Sequence, residues 1–255
     1  MNLNFLDSDN IDVNNHLLIK VDRIGPDENH PIFTIDNVFK DPDKLISDII
    51  EKIPLDVSAK LIIDNEATAF PGVQTPIYLK FSQINNLVTY CINEQTDFDV
   101  DHPSSLDFKY QLNVLKSNDT CEWRSIQPHV DPAMFAFVIY LNPEEECKGG
   151  TSFFEHSDCG VYNMEHVDMK FKRQDAYWNY KEWEFNNIEK SKQTVEMDRS
   201  HIDPSWKEIH HIPMKYNRMV LYPSYLWHTA VYNKEDYSEF PRVSIAGFIA
   251  RDYFI

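Results

Sequence analysis

Glycine is scarce: the 255-residue chain has only 6, against roughly 7% in ordinary proteins. Phosphate-cradling loops need several glycines close together, and neither GxGxxG nor GxxxxGK followed by Ser or Thr occurs. Nucleotide-binding folds built on those loops are therefore excluded. Cysteine is sparse too. Cys91, Cys121, Cys147 and Cys159 show no CxxC spacing, so they read as free thiols packed as small apolar residues in a reducing compartment. The start MNLNFLDSDN lacks the basic and apolar regions of a leader. No apolar run approaches the roughly 18 residues needed to cross a bilayer. A soluble, cytoplasmic protein is expected.

Positive charge is also in deficit. Lys and Arg number 24 against 41 Asp and Glu, for a net charge of −17. Phosphate backbones and anionic lipid repel such a chain, so neither nucleic acid nor membrane is expected as a partner. Aromatic residues make up 13% of the sequence, too many for a disordered acidic tail. The charge therefore coats a folded body.

Length suits one domain with an insertion. Residues 31–107 form an N-terminal strand and helices, 108–255 a β core, and 160–210 an insertion or lid. Pro31–Phe39 alternates like a strand. Asp41-Pro42-Asp43 then caps a helix carrying Leu45, Ile46, Ile49, Ile50 and Ile53 at helical spacing, and another helix is predicted near Gln83–Glu94. Strands are predicted at Phe108–Ser117, around Trp123–Val130, and at Met134–Leu141, Met219–Tyr222, Trp227–Tyr232 and Val243–Phe254. Lys148-Gly149-Gly150 reads as the turn of a hairpin joining Met134–Leu141 to Thr151–Phe154. Asp203-Pro204 reads as the start of a short helix through Trp206 and Ile209. The fold class is mainly β, with N-terminal helices packed on an antiparallel core.

Ten histidines are present. In a strand, residues i and i+2 share a face, so His-x-Asp can offer an imidazole and a carboxylate to one metal. Four such pairs occur: His129/Asp131, His156/Asp158, His166/Asp168 and His201/Asp203. Only context discriminates. Asp203 is accounted for as a helix cap. The pairs at 156 and 166 lie in polar sequence and read as solvated surface. His129/Asp131 instead ends a strand-like segment at the lip of an apolar strand. His228, far downstream, follows an apolar strand and a Pro-Ser turn, so the fold can return it as a third ligand. In the last strand Arg242 and Ser244 share a face. A cation there would be costly inside a barrel without an anion, and a carboxylate ligand would resolve that cost.

Gln127-Pro-His129-Val-Asp131, Gly149-Gly150-Thr151, Arg218 through His228 and Arg242-Val-Ser244 resemble, in order, the motifs of the Fe(II)/2-oxoglutarate-dependent dioxygenases. Ile32–Phe39 with its following helix is similar to the prolyl-hydroxylase-like branch, and within it to a bacterial and phage-type group. The resemblance implies a double-stranded β-helix (jelly-roll). It implies Fe(II) held by His129, Asp131 and His228, with 2-oxoglutarate held at its far carboxylate by Arg242 and Ser244. Tyr110 and Asn113 are further candidates to touch that cosubstrate. The implied reaction consumes O2, releases succinate and CO2, and hydroxylates an unactivated C–H bond, with ascorbate as a reductant. Asp131 disfavours the halogenating variants. The substrate would be an amino acid, a peptidyl side chain or a small metabolite, met by pocket residues such as Trp123, Arg124, Tyr180, Trp183 and Trp227.

Two other classes fit the same residues. One is a cupin-like isomerase or lyase, or a metal-dependent hydrolase, using the triad without a 2-oxo acid. The other is a non-catalytic jelly-roll binding module.

Overall fold

The computed structural model describes residues 12–25, 29–45, 47, 73–77, 81–96, 106–115, 120–157, 160, 174–237 and 239–251. Twelve strands dominate the described residues. Seven form a large antiparallel sheet: β1 (Leu18–Ile24), β2 (His30–Asp36), β3 (Val73–Ile77), β4 (Leu106–Leu115), β6 (Phe135–Tyr140), β10 (Arg218–Pro223) and β12 (Arg242–Arg251), in the order β1-β2-β10-β6-β12-β4-β3. A smaller antiparallel sheet, ordered β11-β7-β9, contains β7 (Gly150–His156), β9 (Trp206–Pro213) and β11 (His228–Val231). The short strands β5 (Thr120–Glu122) and β8 (Thr194–Glu196) pair with each other.

Alternation along the large sheet sorts its side chains into two cores. Phe135, Phe137 and Ile139 of β6 join the cluster containing Ile84, Leu87, Val88, Cys91 and Ile92 of helix α1 (Ser82–Gln95). Those helix positions recur at the spacing that builds one apolar stripe. Ala136, Val138 and Tyr140 face the other way, into a cluster shared with Phe153 and Ile212 of the small sheet. Burial on both faces explains why all six β6 residues are buried and why β2 is buried from Pro31 through Ile35. Gly247 faces Phe137 across the strand pair, and a Cβ there would lie 2.1 Å from the Phe137 ring. Only glycine leaves that ring its place.

Several predicted elements appear, with shifted ends. Helical residues 42–45 and 47 follow Asp41, whose Oδ1 accepts the Lys44 amide at 3.1 Å; the expected continuation to Ile53 lies outside the described residues. Others are corrected. Trp123–Val130 is not a strand but a 3-10 turn, Trp123–Ser125, and a loop in which His129 alone is bridged. The Gly149-Gly150 hairpin is not formed. β6 and β7 lie in different sheets, and the glycines (φ +62° and +155°) carry the chain between them. A Cβ on Gly149 would stand 2.0 Å from the Val231 carbonyl oxygen. Asp203-Pro204 begins no helix either. The Asp203 carboxylate accepts the Ser205 amide and hydroxyl, and Trp206–Pro213 continues as β9. β9 therefore starts inside residues 160–210, the region predicted as an insertion. That region's described part holds α2 (Gln174–Asn186) and α3 (Ile188–Ser191) as well as β8.

Cys91 and Cys121 are buried thiols and Cys147 is a half-buried one; Cys159 is outside the described residues. Burial pushes the Cys91 thiol up to about 12, as expected of a packing residue. No helix among the described residues is long and apolar enough to cross a membrane.

Candidate metal centre and the adjoining cavities

His129 and His228 meet through their own backbones. Each amide donates to the other's carbonyl, at 2.9 and 3.0 Å, as an isolated antiparallel bridge. Two residues on, the Asp131 amide donates to the Ser224 carbonyl at 3.1 Å. Peptide hydrogen bonds therefore hold the spacing of the three residues, and their side chains converge. One ligand atom from each of His129, Asp131 and His228 lies within 4.8 Å of the others. Among the described residues no other cluster of His, Cys, Asp or Glu does this.

The free nitrogens are the right ones. His228 Nδ1 sits 2.8 Å from the Leu226 carbonyl oxygen and His129 Nδ1 3.3 Å from that of Gln127. A carbonyl can only accept, so each Nδ1 carries the proton and each Nε2 presents its lone pair. Those Nε2 atoms lie 3.2 Å (His228) and 3.9 Å (His129) from the Asp131 carboxylate. Half of the His129 side chain remains accessible. Even so, loss of solvation beside surrounding protein, then the neighbouring His228, lowers its pKa and favours the neutral ring. Burial opposes the Asp131 carboxylate, but His228 and His129 outweigh it and lower its pKa. A neutral His129 ring and an ionised Asp131 carboxylate are protonation states that suit a divalent cation.

An inner cavity of about 130 Å³ runs from this trio toward β12. Register pairs place Ser244 between Asn113 and Tyr140, Ala246 between Gln111 and Val138, and Phe248 between Lys109 and Ala136. Small side chains in the middle of that floor leave the space open. Arg242 and Ser244 are 4% and 0% exposed. The Arg242 Nε, the Ser244 Oγ and the Asn113 Oδ1 are buried without a hydrogen-bond partner among the described residues. The guanidinium lies over the Tyr140 ring at 5.4 Å, and the Tyr140 hydroxyl pairs with Thr151 Oγ1 at 2.7 Å.

Tyr110 is not brought to this cavity. It faces the helix-side core, with its hydroxyl on the Asn85 side chain. Asn113 does line the cavity. Residues 110 and 113 differ by an odd number, so strand alternation by itself puts them on opposite faces. Tyr140, Thr151, Tyr222 and Gln111 were missed; the available signal was their parity, which fixes the face once one inward residue on each strand is known.

Of the other His-x-Asp pairs only His201/Asp203 is described at both residues, and it belongs to no cluster that could hold a metal. His156 is not a surface residue. It is fully buried at the end of β7, its ring 4.5 Å from Trp206 and 5.4 Å from Trp183. The His201 carbonyl accepts from Gln127 Nε2 at 2.9 Å, and the Asp203 carboxylate meets Lys190 at 2.9 Å. Asp158, His166 and Asp168 lie outside the described residues.

Beyond the trio opens a second cleft, of about 1410 Å³. Trp123, Arg124, Tyr180 and Trp183 line it as predicted. Trp227 does not; it is 1% exposed, packed behind the wall against Tyr180 and Trp206.

Among solved structures the chain is similar to HygX from Streptomyces hygroscopicus with nickel, 2-oxoglutarate and hygromycin B bound, at 11% identity and TM-score 0.45 over 89% of this chain and 85% of that one. It is similar to a Pseudomonas putida prolyl-4-hydroxylase at 13% identity and TM-score 0.36, over 73% and 76%. A third is SnoN, a non-heme alpha ketoglutarate dependent epimerase from nogalamycin biosynthesis, at 13% identity and TM-score 0.43, over 88% and 80%. No curated protein matches the chain. One family profile matches residues 15–244, nearly the whole sequence, and by that match the chain belongs to the family described as Family of unknown function (DUF6445).

Proposed function

We propose that this protein is an Fe(II)- and 2-oxoglutarate-dependent dioxygenase on a double-stranded β-helix core, hydroxylating an unactivated C–H bond with release of succinate and CO2. One observation carries the reading. A trio of two imidazoles and a carboxylate stands at one end of a cavity, and Arg242, buried without an acidic partner among the described residues, stands near the other. A cupin-like isomerase or a hydrolase has use for the trio but none for that cation.

The donor set fits the absent groups. His129, Asp131 and His228 are the facial 2-His-1-carboxylate set that suits non-haem Fe(II) and leaves open positions on an octahedral ion. Arg242 offers a fork of donors, and Ser244 a hydroxyl, to one carboxylate of a dicarboxylate. The Asn113 carboxamide, opposite Ser244 in the register, adds a further polar contact. Tyr222, buried and 4.6 Å from the His228 ring, closes the wall between the two ends. Ala136 and Val138 make that wall apolar. Bound together, Fe(II), 2-oxoglutarate and O2 supply the oxidising power. The protein's part is to hold both ends of the cosubstrate and admit the target C–H bond from the outer cleft.

The test is succinate formation. Protein supplied with Fe(II), 2-oxoglutarate, O2 and ascorbate should turn 2-oxoglutarate over slowly even without the main substrate. His129→Ala should abolish that turnover. Equal succinate from wild type and His129→Ala would refute the reading.

A further inference from the structure

The passage between the two cavities is lined by Gln74, Gln111, Ser125 and Phe248, together with His129 and Asp131. Apart from those two ligands its polar groups are uncharged. Among the described residues neither glutamine side chain has a hydrogen-bond partner. Gln74 pairs in register with Asn113, and Gln111 with Pro76, so the two glutamines are diagonal neighbours on the inward face of β3 and β4. Diagonal neighbours across a strand pair stand about 7–8 Å apart. In an extended chain, alternate residues repeat at roughly 6.6 Å. A carboxamide presents one acceptor and two donors in a plane, which matches a peptide bond and favours neither a free carboxylate nor an ammonium.

The outer cleft agrees with an uncharged, elongated ligand. Its ionic groups are already paired: Arg124 with Glu122 at 2.6 Å, Lys181 with Glu184 at 3.2 Å, Lys109 with Asp107 at 3.6 Å and Lys192 with Glu189 at 3.9 Å. Its volume of about 1410 Å³ exceeds the ~300–1,000 Å³ of small-molecule sites. Phe185, 73% exposed, and Ile188, 47% exposed, add an apolar ledge on the same wall.

We propose that the substrate is an extended peptide segment, its main-chain amides read by Gln74 and Gln111 while one side chain enters toward His129, Asp131 and His228. The proposal rests on the oxygenase reading for what happens to that side chain, but recognition can be measured without turnover. The probe is a degenerate pool of decapeptides with acetylated N-termini and amidated C-termini, equilibrated with the immobilised metal-free full chain. Retained peptides are identified by mass spectrometry, with the mixed free amino acids as competitor. A defined subset should be retained, and excess free amino acids should not displace it. Each carboxamide hydrogen bond is worth about 0.5–1.5 kcal/mol, or roughly 2- to 12-fold in affinity. Gln111→Leu and Gln74→Leu together should therefore cut retention by about 5- to 140-fold, and Gln111→Asn should cost less than Gln111→Leu. Melting temperatures of the variants close to wild type exclude misfolding.

Retention unaffected by the double substitution, no subset retained, or displacement by free amino acids would each overturn the proposal, the last in favour of a small metabolite. A separate titration of 2-oxoglutarate into Fe(II)-loaded wild type tests the oxygenase reading. Its failure alongside selective peptide retention would sink that reading and leave the peptide site standing.

Discussion

Replacing Arg242 by methionine should move stability and cosubstrate affinity in opposite directions. Methionine keeps most of the aliphatic stem and removes the guanidinium that lies over the Tyr140 ring. Arg242 is 4% exposed, and its Nε has no hydrogen-bond partner among the described residues. A buried charge lacking its counter-ion penalises the folded state, and well-packed apolar replacements of buried ionic groups commonly stabilise by about 1–4 kcal/mol. Without 2-oxoglutarate, Arg242→Met should therefore melt at or above the wild-type temperature. Affinity falls instead. Truncating one partner of a desolvated charge pair costs about 2–5 kcal/mol, and at about 1.4 kcal/mol per decade that is on the order of 30-fold to several thousand-fold. The assay is an anaerobic titration of 2-oxoglutarate into Fe(II)-loaded protein, read at the metal-to-ligand charge-transfer band. Melts at a cosubstrate concentration about 100 times the wild-type Kd give a second reading. Wild type should gain about 2.7 kcal/mol, roughly 5–11 °C for a chain of this size, and the variant almost nothing. Arg242→Lys should recover only part of the binding, because an ammonium lacks the fork. A variant that melts well below wild type yet keeps the full 2-oxoglutarate shift would refute the argument.

Fe(II) binding, followed by equilibrium dialysis, should be lost in Asp131→Ala and His228→Ala and retained in His201→Ala. His156→Ala should also bind iron but unfold roughly 2 kcal/mol or more earlier in urea, since it empties a fully buried site against Trp206. Gly247→Ala should cost about 1–3 kcal/mol in the same assay, because the added methyl overlaps the Phe137 ring; no loss would mean the strand pair shifts freely. Asp36 accepts from Arg218 Nε at 2.6 Å, Arg218 Nη2 at 3.0 Å and Lys215 Nζ at 3.0 Å. Burial alone would raise its pKa, but those cations lower it on balance, so its contribution is full above the unfolded value of 3.8 and fades as pH falls through the lower folded one. Asp36→Asn should therefore be less stable by roughly 1.5–3 kcal/mol near neutrality. The gap should narrow below about pH 4 in denaturation curves; a gap independent of pH would show that the carboxylate charge is not what stabilises.

What the chain settles by itself is local and periodic. Local runs of strand-forming or helix-forming residues marked β4, β6, β10, β12 and α1, because such a run needs no knowledge of what covers each face. The His129-x-Asp131 spacing and the parity of Arg242 and Ser244 are of the same kind. What tertiary structure decided is every question of which face meets what. His129 became a candidate ligand, and His201 did not, because a distant strand returned His228 to bridge its backbone. Gly149-Gly150 carries the same turn signal whether the chain folds back on its own sheet or crosses to the other, and the close approach to Val231 settled the crossing. Asp203 can cap a helix or an Asx turn with the same carboxylate, and pairing with β7 selected the strand. His156 looked solvated beside its polar neighbours in sequence, but the residues that bury it, Trp183 and Trp206, arrive from later in the chain. Burial is a sum over contacts that sequence distance does not rank, so only the folded chain could assign it.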